Sequence, residues 1–243
     1  MKRLVTILAS IPLFAQDPQI FIYREQIRPG KLAKYMQIEE EAARFCAKAP
    51  CPNPYMALAS MTGPNEAWWI NGFDTAETFE KIQQAYAANQ ELTQYLNTVD
   101  SNKADLAFHA TRLIAKFHPE MSFYSTPIAP RLISISVVQV RQKNVIAFRD
   151  LRSRFKQALE RAGRPQWVYQ VTSGAEDVTF IVMTPARNMQ EILTLPTADD
   201  SADIIATSET RLYAVSPALS FPAQSWIEAD PEFWQAKPPA PQQ

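Results

Sequence analysis

The order of apolar strands and amphipathic helices in this 243-residue chain occurs twice. From Gln19 it reads strand (Ile20 to Ile27), helix (about Gly30 to Lys48), two strands (Tyr55 to Met61 and Ala67 to Phe73) around the turn Thr62-Gly63-Pro64-Asn65, a long helix from Ala76, and a strand from Arg112 to His118. From Arg131 the order returns: strand Leu132 to Val140, helix Val145 to Ala162, strands Trp167 to Val171 and Val178 to Met183, a helix near Asn188, strand Leu212 to Val215. A shift of 113 sets Gln26-Ile27-Arg28 on Gln139-Val140-Arg141. It also sets the helical face Tyr35, Ile38, Ala42, Phe45, Cys46, Ala49 on Phe148, Leu151, Phe155, Ala158, Leu159, Ala162, so every buried position meets an apolar one. A shift of 111 pairs Gly63 with Gly174 and Ile70 with Ile181, and a shift of 98 pairs Pro119-Glu120-Met121-Ser122-Phe123 with Pro217-Ala218-Leu219-Ser220-Phe221. The changing shift locates extra residues in the first copy, around Asn97 to Asp105.

Each copy is a β-α-β-β-α-β unit, ferredoxin-like, in which an antiparallel sheet carries two helices on one face only. The bare face needs a cover. The sheet of the second copy can supply it, so the fold class is α+β: two tandem repeats whose sheets form an intrachain dimeric α/β barrel, with its interior the expected ligand site. The expected divisions are a first repeat over 16–124, a linker over 125–130, a second repeat over 131–222, and a proline-rich C-terminal tail over 223–243 that is partly disordered. Five glycines against 19 prolines speak against Gly-dependent nucleotide loops.

The chain opens Met1-Lys2-Arg3, continues apolar from Leu4 to Phe14, and reaches Ala15 before the polar Gln16-Asp17-Pro18, the layout of a signal peptide over 1–15. A periplasmic or extracellular location is therefore expected. The apolar run is shorter than the roughly 20 residues of a spanning helix, and the expected protein is not membrane-embedded. Without residues 1–15, 22 of the 24 basic residues face 25 acidic ones, a formal charge of −3 that does not suggest nucleic acid. An oxidising compartment would pair the only cysteines, Cys46 and Cys51, as a disulfide; two free thiols are the alternative, because so short a loop strains the required geometry.

The runs Ile27-Arg28-Pro29-Gly30-Lys31-Leu32, Gly63-Pro64-Asn65-Glu66-Ala67-Trp68-Trp69 and Asn71-Gly72-Phe73-Asp74-Thr75, within the duplicated pattern, resemble the dimeric α/β barrel superfamily. Within it they resemble the NIPSNAP-like and antibiotic-biosynthesis-monooxygenase-like proteins. The resemblance covers residues 19–123 and 131–221 and speaks for fold, since the superfamily hosts cofactor-free oxygenases, haem enzymes and ligand binders. Its chlorite dismutase branch, whose single chains also hold two such units, would place an axial histidine in the second copy. None exists there, and Ser216 stands opposite His118, so no cofactor is expected.

No motif carries a reaction. His118-Pro119-Glu120 matches the H-x-E of zinc deaminases but lacks their second motif, and no H-E-x-x-H, G-x-S-x-G, Walker loop or G-x-G-x-x-G occurs, so no metal is expected. Trp68 and Trp69 must face opposite sides of their strand. If Trp69 and Asn71 face the barrel interior, with Tyr23 and Glu25 sharing a face of the first strand, they form an aromatic pocket with a few polar groups; rings that only fill the core are the plainer reading. His118 is the fifth candidate. The outer faces of the helices, with Lys34, Glu39, Glu40, Glu41 and Lys48 on the first and Arg149, Arg152, Arg154 and Lys156 on its counterpart, read as solvated, or as opposed charges guiding a homo-oligomer. These features describe an exported barrel that binds a small apolar or aromatic ligand. A cofactor-free monooxygenase-like enzyme using Trp69, Asn71, Tyr23 and His118, and a protein-interaction module, are the alternatives.

Overall fold

The computed structural model describes residues 19–49, 51–124, 130–195 and 203–235. The expected leader over 1–15, nearly all of the expected linker and the chain beyond 235 lie outside them. The first repeat comprises β1 (Gln19–Ile27), α1 (Leu32–Lys48), β2 (Met56–Ser60), β3 (Glu66–Phe73), α2 (Ala76–Ala88), α3 (Gln90–Lys103) and β4 (Ala107–Phe117). The second comprises β5 (Leu132–Val140), α4 (Val145–Ala162), β6 (Trp167–Ser173), β7 (Thr179–Ala186), α5 (Met189–Leu193) and β8 (Ile205–Val215). The expected single long helix is two, because Asn89 ends α2 and caps α3, its Oδ1 accepting from the Leu92 N–H at 3.1 Å. β4 and β8 begin earlier than their apolar runs, since their first halves are exposed and polar, and β4 carries a bulge where His109 takes φ 52°.

The eight strands form one closed antiparallel barrel in the order β1-β3-β2-β8-β5-β7-β6-β4. Each repeat contributes four neighbouring strands in the same order, and the repeats join edge to edge where β2 pairs with β8 and β4 with β6. Closure leaves neither sheet an open edge. A buried polar lock spans the first seam: Glu66 of β3 accepts from Arg211 Nη1 at 2.8 Å and from the Tyr213 hydroxyl at 2.6 Å, both on β8.

The register confirms the duplication and corrects one part of it. The shift of 113 holds for β1 with β5 and α1 with α4, and returns for β3 with β7, so Ile70 corresponds to Met183 rather than Ile181. The shift of 111 belongs to β2, β6 and the glycine of the following turn. The second hairpin is therefore two residues longer. Gly174 holds that turn at φ 93° with its Cα against β4, where a Cβ would stand 2.2 Å from the Arg112 carbonyl oxygen.

The barrel interior is filled. Ile20, Ile22, Trp68, Ile133, Trp167, Tyr169, Met183 and Tyr213 alternate inward and are almost fully buried in one cluster fed by both repeats. Large rings from both sheets occupy the interior and leave their small neighbours, such as Ala57 and Ala67, to the helix side, so the expected pocket residues Trp69 and Tyr23 are not on the interior face. The expected tail is also corrected over 223–235. There α6 (Gln224–Ala229) and α7 (Pro231–Trp234) insert Trp226 and Trp234 into the same cluster, and Asp230 binds Arg131 at 2.6 Å.

Candidate functional site

Because side chains alternate along a strand, the residues next to those filling the barrel face outward under the helices. Tyr23 and Glu25 of β1, with Trp69 and Asn71 of β3, do share one face as expected, but it is the helix side of the first sheet. Tyr23 and Trp69 are cross-strand partners with ring centroids 5.5 Å apart, whereas Trp68 lies inside the barrel. Between this face and α1, α2 and α3 is a cavity of about 300 Å³. Phe21, Tyr55, Phe73, Phe79 and Tyr86 give it aromatic walls, and Asn53, Asn71, Gln83 and Arg112 supply polar points. The disulfide forms part of its floor: Cys46, at the end of α1, is bonded to Cys51, whose Cα is 5.0 Å away.

At one end of the cavity sits a buried charged cluster. Lys103, in the last turn of α3, places Nζ 2.9 Å from Glu25 Oε2 and 2.6 Å from Glu39 Oε1, with Asp100 Oδ1 at 3.6 Å. The Tyr35 hydroxyl donates to Glu25 Oε2 at 2.6 Å, and the Tyr23 hydroxyl donates to Glu25 Oε1. The rings of Trp69, Tyr23 and Tyr35 enclose the ammonium, their centroids 5.6 to 5.7 Å from Nζ. Lys103 is only 5% exposed and Glu25 and Glu39 each 6%, so the charges lean on one another.

The two carboxylates part company. Burial pushes Glu25 up, but the Lys103 charge and the hydrogen bonds from Tyr23, Tyr35 and Lys103 outweigh it and hold the group below the usual carboxylate range. Burial wins at Glu39, which is raised despite Lys103. Lys103 is raised, because Glu39 and Glu25 outweigh the burial that would lower it. Burial, then the neighbouring carboxylates, pushes the Tyr23 and Tyr35 phenols far up, so both remain neutral donors.

Four of the five ligand candidates expected from the sequence, Tyr23, Glu25, Trp69 and Asn71, therefore meet at one site, and His118 does not. It follows β4 on the side of the second repeat, with Nδ1 2.7 Å from Glu120 Oε1 and its ring 6.2 Å from that of Phe180. Glu39 and Arg152, expected on solvated faces, are buried, which removes both from any surface patch guiding association. Glu39 lies on the stripe Tyr35, Ala42, Cys46 at helical spacing, and that spacing was the available signal. Lys103 falls in the stretch peculiar to the first copy, where no repeat comparison could weigh it. Among the described residues no histidine lines the cavity, and no group of three His, Cys, Asp or Glu could hold a metal ion. Nor is any helix there long and apolar enough to cross a membrane.

Fold and cavity together define a dimeric α/β barrel built within a single chain. No protein-family profile matches the chain, and no curated protein matches it. Solved structures do. A candidate monooxygenase from Fusobacterium nucleatum is similar at 10% identity and TM-score 0.56, over 81% of this chain and 91% of its own. An anthrone oxidase-like protein matches at 13% identity and TM-score 0.55, over 84% and 93%. A NIPSNAP-like domain protein from Burkholderia xenovorans is 19% identical over 47% of this chain and 94% of its own, with a TM-score of 0.34. At these identities the likeness to the first two speaks for the fold alone.

Proposed function

We propose that the chain binds a small aromatic or apolar molecule carrying one polar group in the cavity between its first sheet and α1, α2 and α3. The observation that carries this is the pairing of an aromatic cavity of about 300 Å³ with a buried charged cluster at one end. Aromatic walls supply contact area, and the ordered polar end fixes orientation. Lys103 and Glu25 are tied up by each other and by two tyrosines, so the cluster orients rather than reacts. The test is a titration with N-phenylnaphthylamine, an apolar aromatic fluorophore. Saturable one-to-one brightening that is lost in Trp69→Ala supports the reading; brightening unchanged in that variant removes it.

A cofactor-free oxygenase is the second reading, favoured because Tyr23, Trp69 and Asn71 line one cavity. It predicts dioxygen-dependent conversion of anthrone to anthraquinone, with one water released, at a rate above the spontaneous one and lost in Trp69→Ala. We also hold the chain to be exported with cleavage after Ala15, a reading supported by the leader pattern and the Cys46–Cys51 pair. An N-terminus other than Gln16 on protein from its own source would count against that cut.

A further inference from the structure

The second repeat carries its own cavity, about 220 Å³, under α4 in the place where the first repeat has the site described above. Its lining follows the repeat register. Ser136 stands for Tyr23, Val138 for Glu25, Phe148 for Tyr35, Val182 for Trp69, and Arg152 for Glu39. The chemistry is thus inverted: where the first cavity buries a carboxylate, the second buries a guanidinium.

In the first repeat the buried charge is answered by Lys103. Arg152 is only 8% exposed, and among the described residues no carboxylate forms an ion pair with it. Its Nη2 donates to Gln166 Oε1, and its guanidinium carbon lies 4.9 Å from the Phe155 ring centroid. Among the described residues its buried Nε–H has no partner. Gln166 is itself spent, its Nε2 donating to Thr184 Oγ1 at 2.7 Å, so among the described residues a neutral amide and an aromatic ring face the cation. Burial drags this arginine down to about 10. An uncompensated buried cation is costly, and an anion from outside would remove the cost.

We propose that this second cavity binds a small monoanion with an apolar body, a carboxylate on an aromatic ring or short alkyl chain, with Arg152 as its anchor. One guanidinium supplies one charge and a planar fork, which suits a carboxylate; the walls of Val138, Phe148, Phe155 and Val182 suit the apolar body. The hydroxyls of Ser136 and Ser208 lie in the same lining.

The test uses sodium benzoate and sodium hexanoate on the full chain at constant ionic strength, followed by calorimetry and by the side-chain Nε–H signals of arginine in nitrogen-15 spectra. Saturable millimolar or tighter binding of at least one of the two is expected. It should shift one Nε–H signal that is absent from Arg152→Met, and be weakened about tenfold or more in that variant and with benzamide. Without ligand, Arg152→Met should melt higher than the wild type, because an unpaired buried charge has gone. Should it not fold, Arg152→Lys carries the test, keeping the charge without the fork and binding more weakly than the wild type. No saturable binding of either carboxylate, or binding indifferent to both variants, overturns the proposal. So does a lower melting point of ligand-free Arg152→Met, which would make Arg152 a structural partner of Gln166.

Discussion

Glu39 and Arg152 stand at corresponding positions of α1 and α4, each buried beneath its helix, and they carry opposite charges. The duplication therefore preserves shape while dividing chemistry. A symmetric dimer of one unit would present the same cavity twice, whereas a fused chain lets each copy change alone. In the first copy the change is completed by α3, whose Lys103 answers Glu39.

Lys103 is the most demanding test of the charged cluster. Lys103→Met leaves Glu25 and Glu39 buried without their cation and should cost about 3–5 kcal/mol in urea unfolding. Adding Glu39→Gln should recover part of the loss, a coupling that a double-mutant cycle reads directly. Independent, additive losses would show that the three groups do not act together.

The cluster also sets a pH signature. Glu25 is lowered when folded, so its contribution is present above its unfolded value of 4.5 and lost as pH falls through the folded value. Lys103 is raised, so its contribution is present below 10.5 and lost as pH rises through its folded value. Glu39 runs the other way from Glu25. Being raised, it favours the fold fully below 4.5 and loses that contribution as pH climbs. Melting temperatures across pH should therefore show the wild type losing ground to Glu39→Gln from about pH 4.5 upward, and Lys103→Met flattening the alkaline limb.

Adjacent tryptophans should separate stability from binding. Trp68, fully buried inside the barrel against Tyr213 at 5.6 Å between ring centroids, should cost about 3–5 kcal/mol as Trp68→Ala. Trp69→Phe keeps a ring under the helices, so it should melt within a few degrees of the wild type while weakening the fluorophore. Equal effects on both readouts would dissolve the distinction between barrel filler and cavity wall.

Residues 223–235 are predicted to be structural. Ending the chain at Pro222 removes Trp226 and Trp234 from the core and the Asp230 partner of Arg131, and should lower the melting temperature by at least several degrees. A truncated chain as stable as the whole would return this segment to the status of a tail.

Much of the architecture was legible because a repeat tests itself: Tyr35, Ala42 and Cys46 of α1 mapped onto the apolar Phe148, Phe155 and Leu159 of α4, and alternation placed Tyr23, Glu25, Trp69 and Asn71 together. Which side of the sheet they occupy was not, since Trp68 and Trp69 are equally bulky and only the second repeat, closing the barrel around Trp68, decides between them. Glu39 and Arg152 were hidden by residue type: charge on a helix reads as solvent unless its spacing from Tyr35 or Phe148 is weighed first. Lys103 carried no local signal, because its partners Glu25 and Glu39 are 78 and 64 residues away in the chain. The proline-rich end concealed two helices because proline at the first turn starts α7 rather than breaking it.

The claim that the first cavity is a binding site is tested most directly by native mass spectrometry of the chain purified from its own source without refolding, recorded intact and again denatured. The account predicts a small-molecule mass that accompanies the intact wild type, disappears on denaturation, and is absent from intact Trp69→Ala. A wild-type chain with the same mass in both states, or an adduct that Trp69→Ala retains in full, would contradict it.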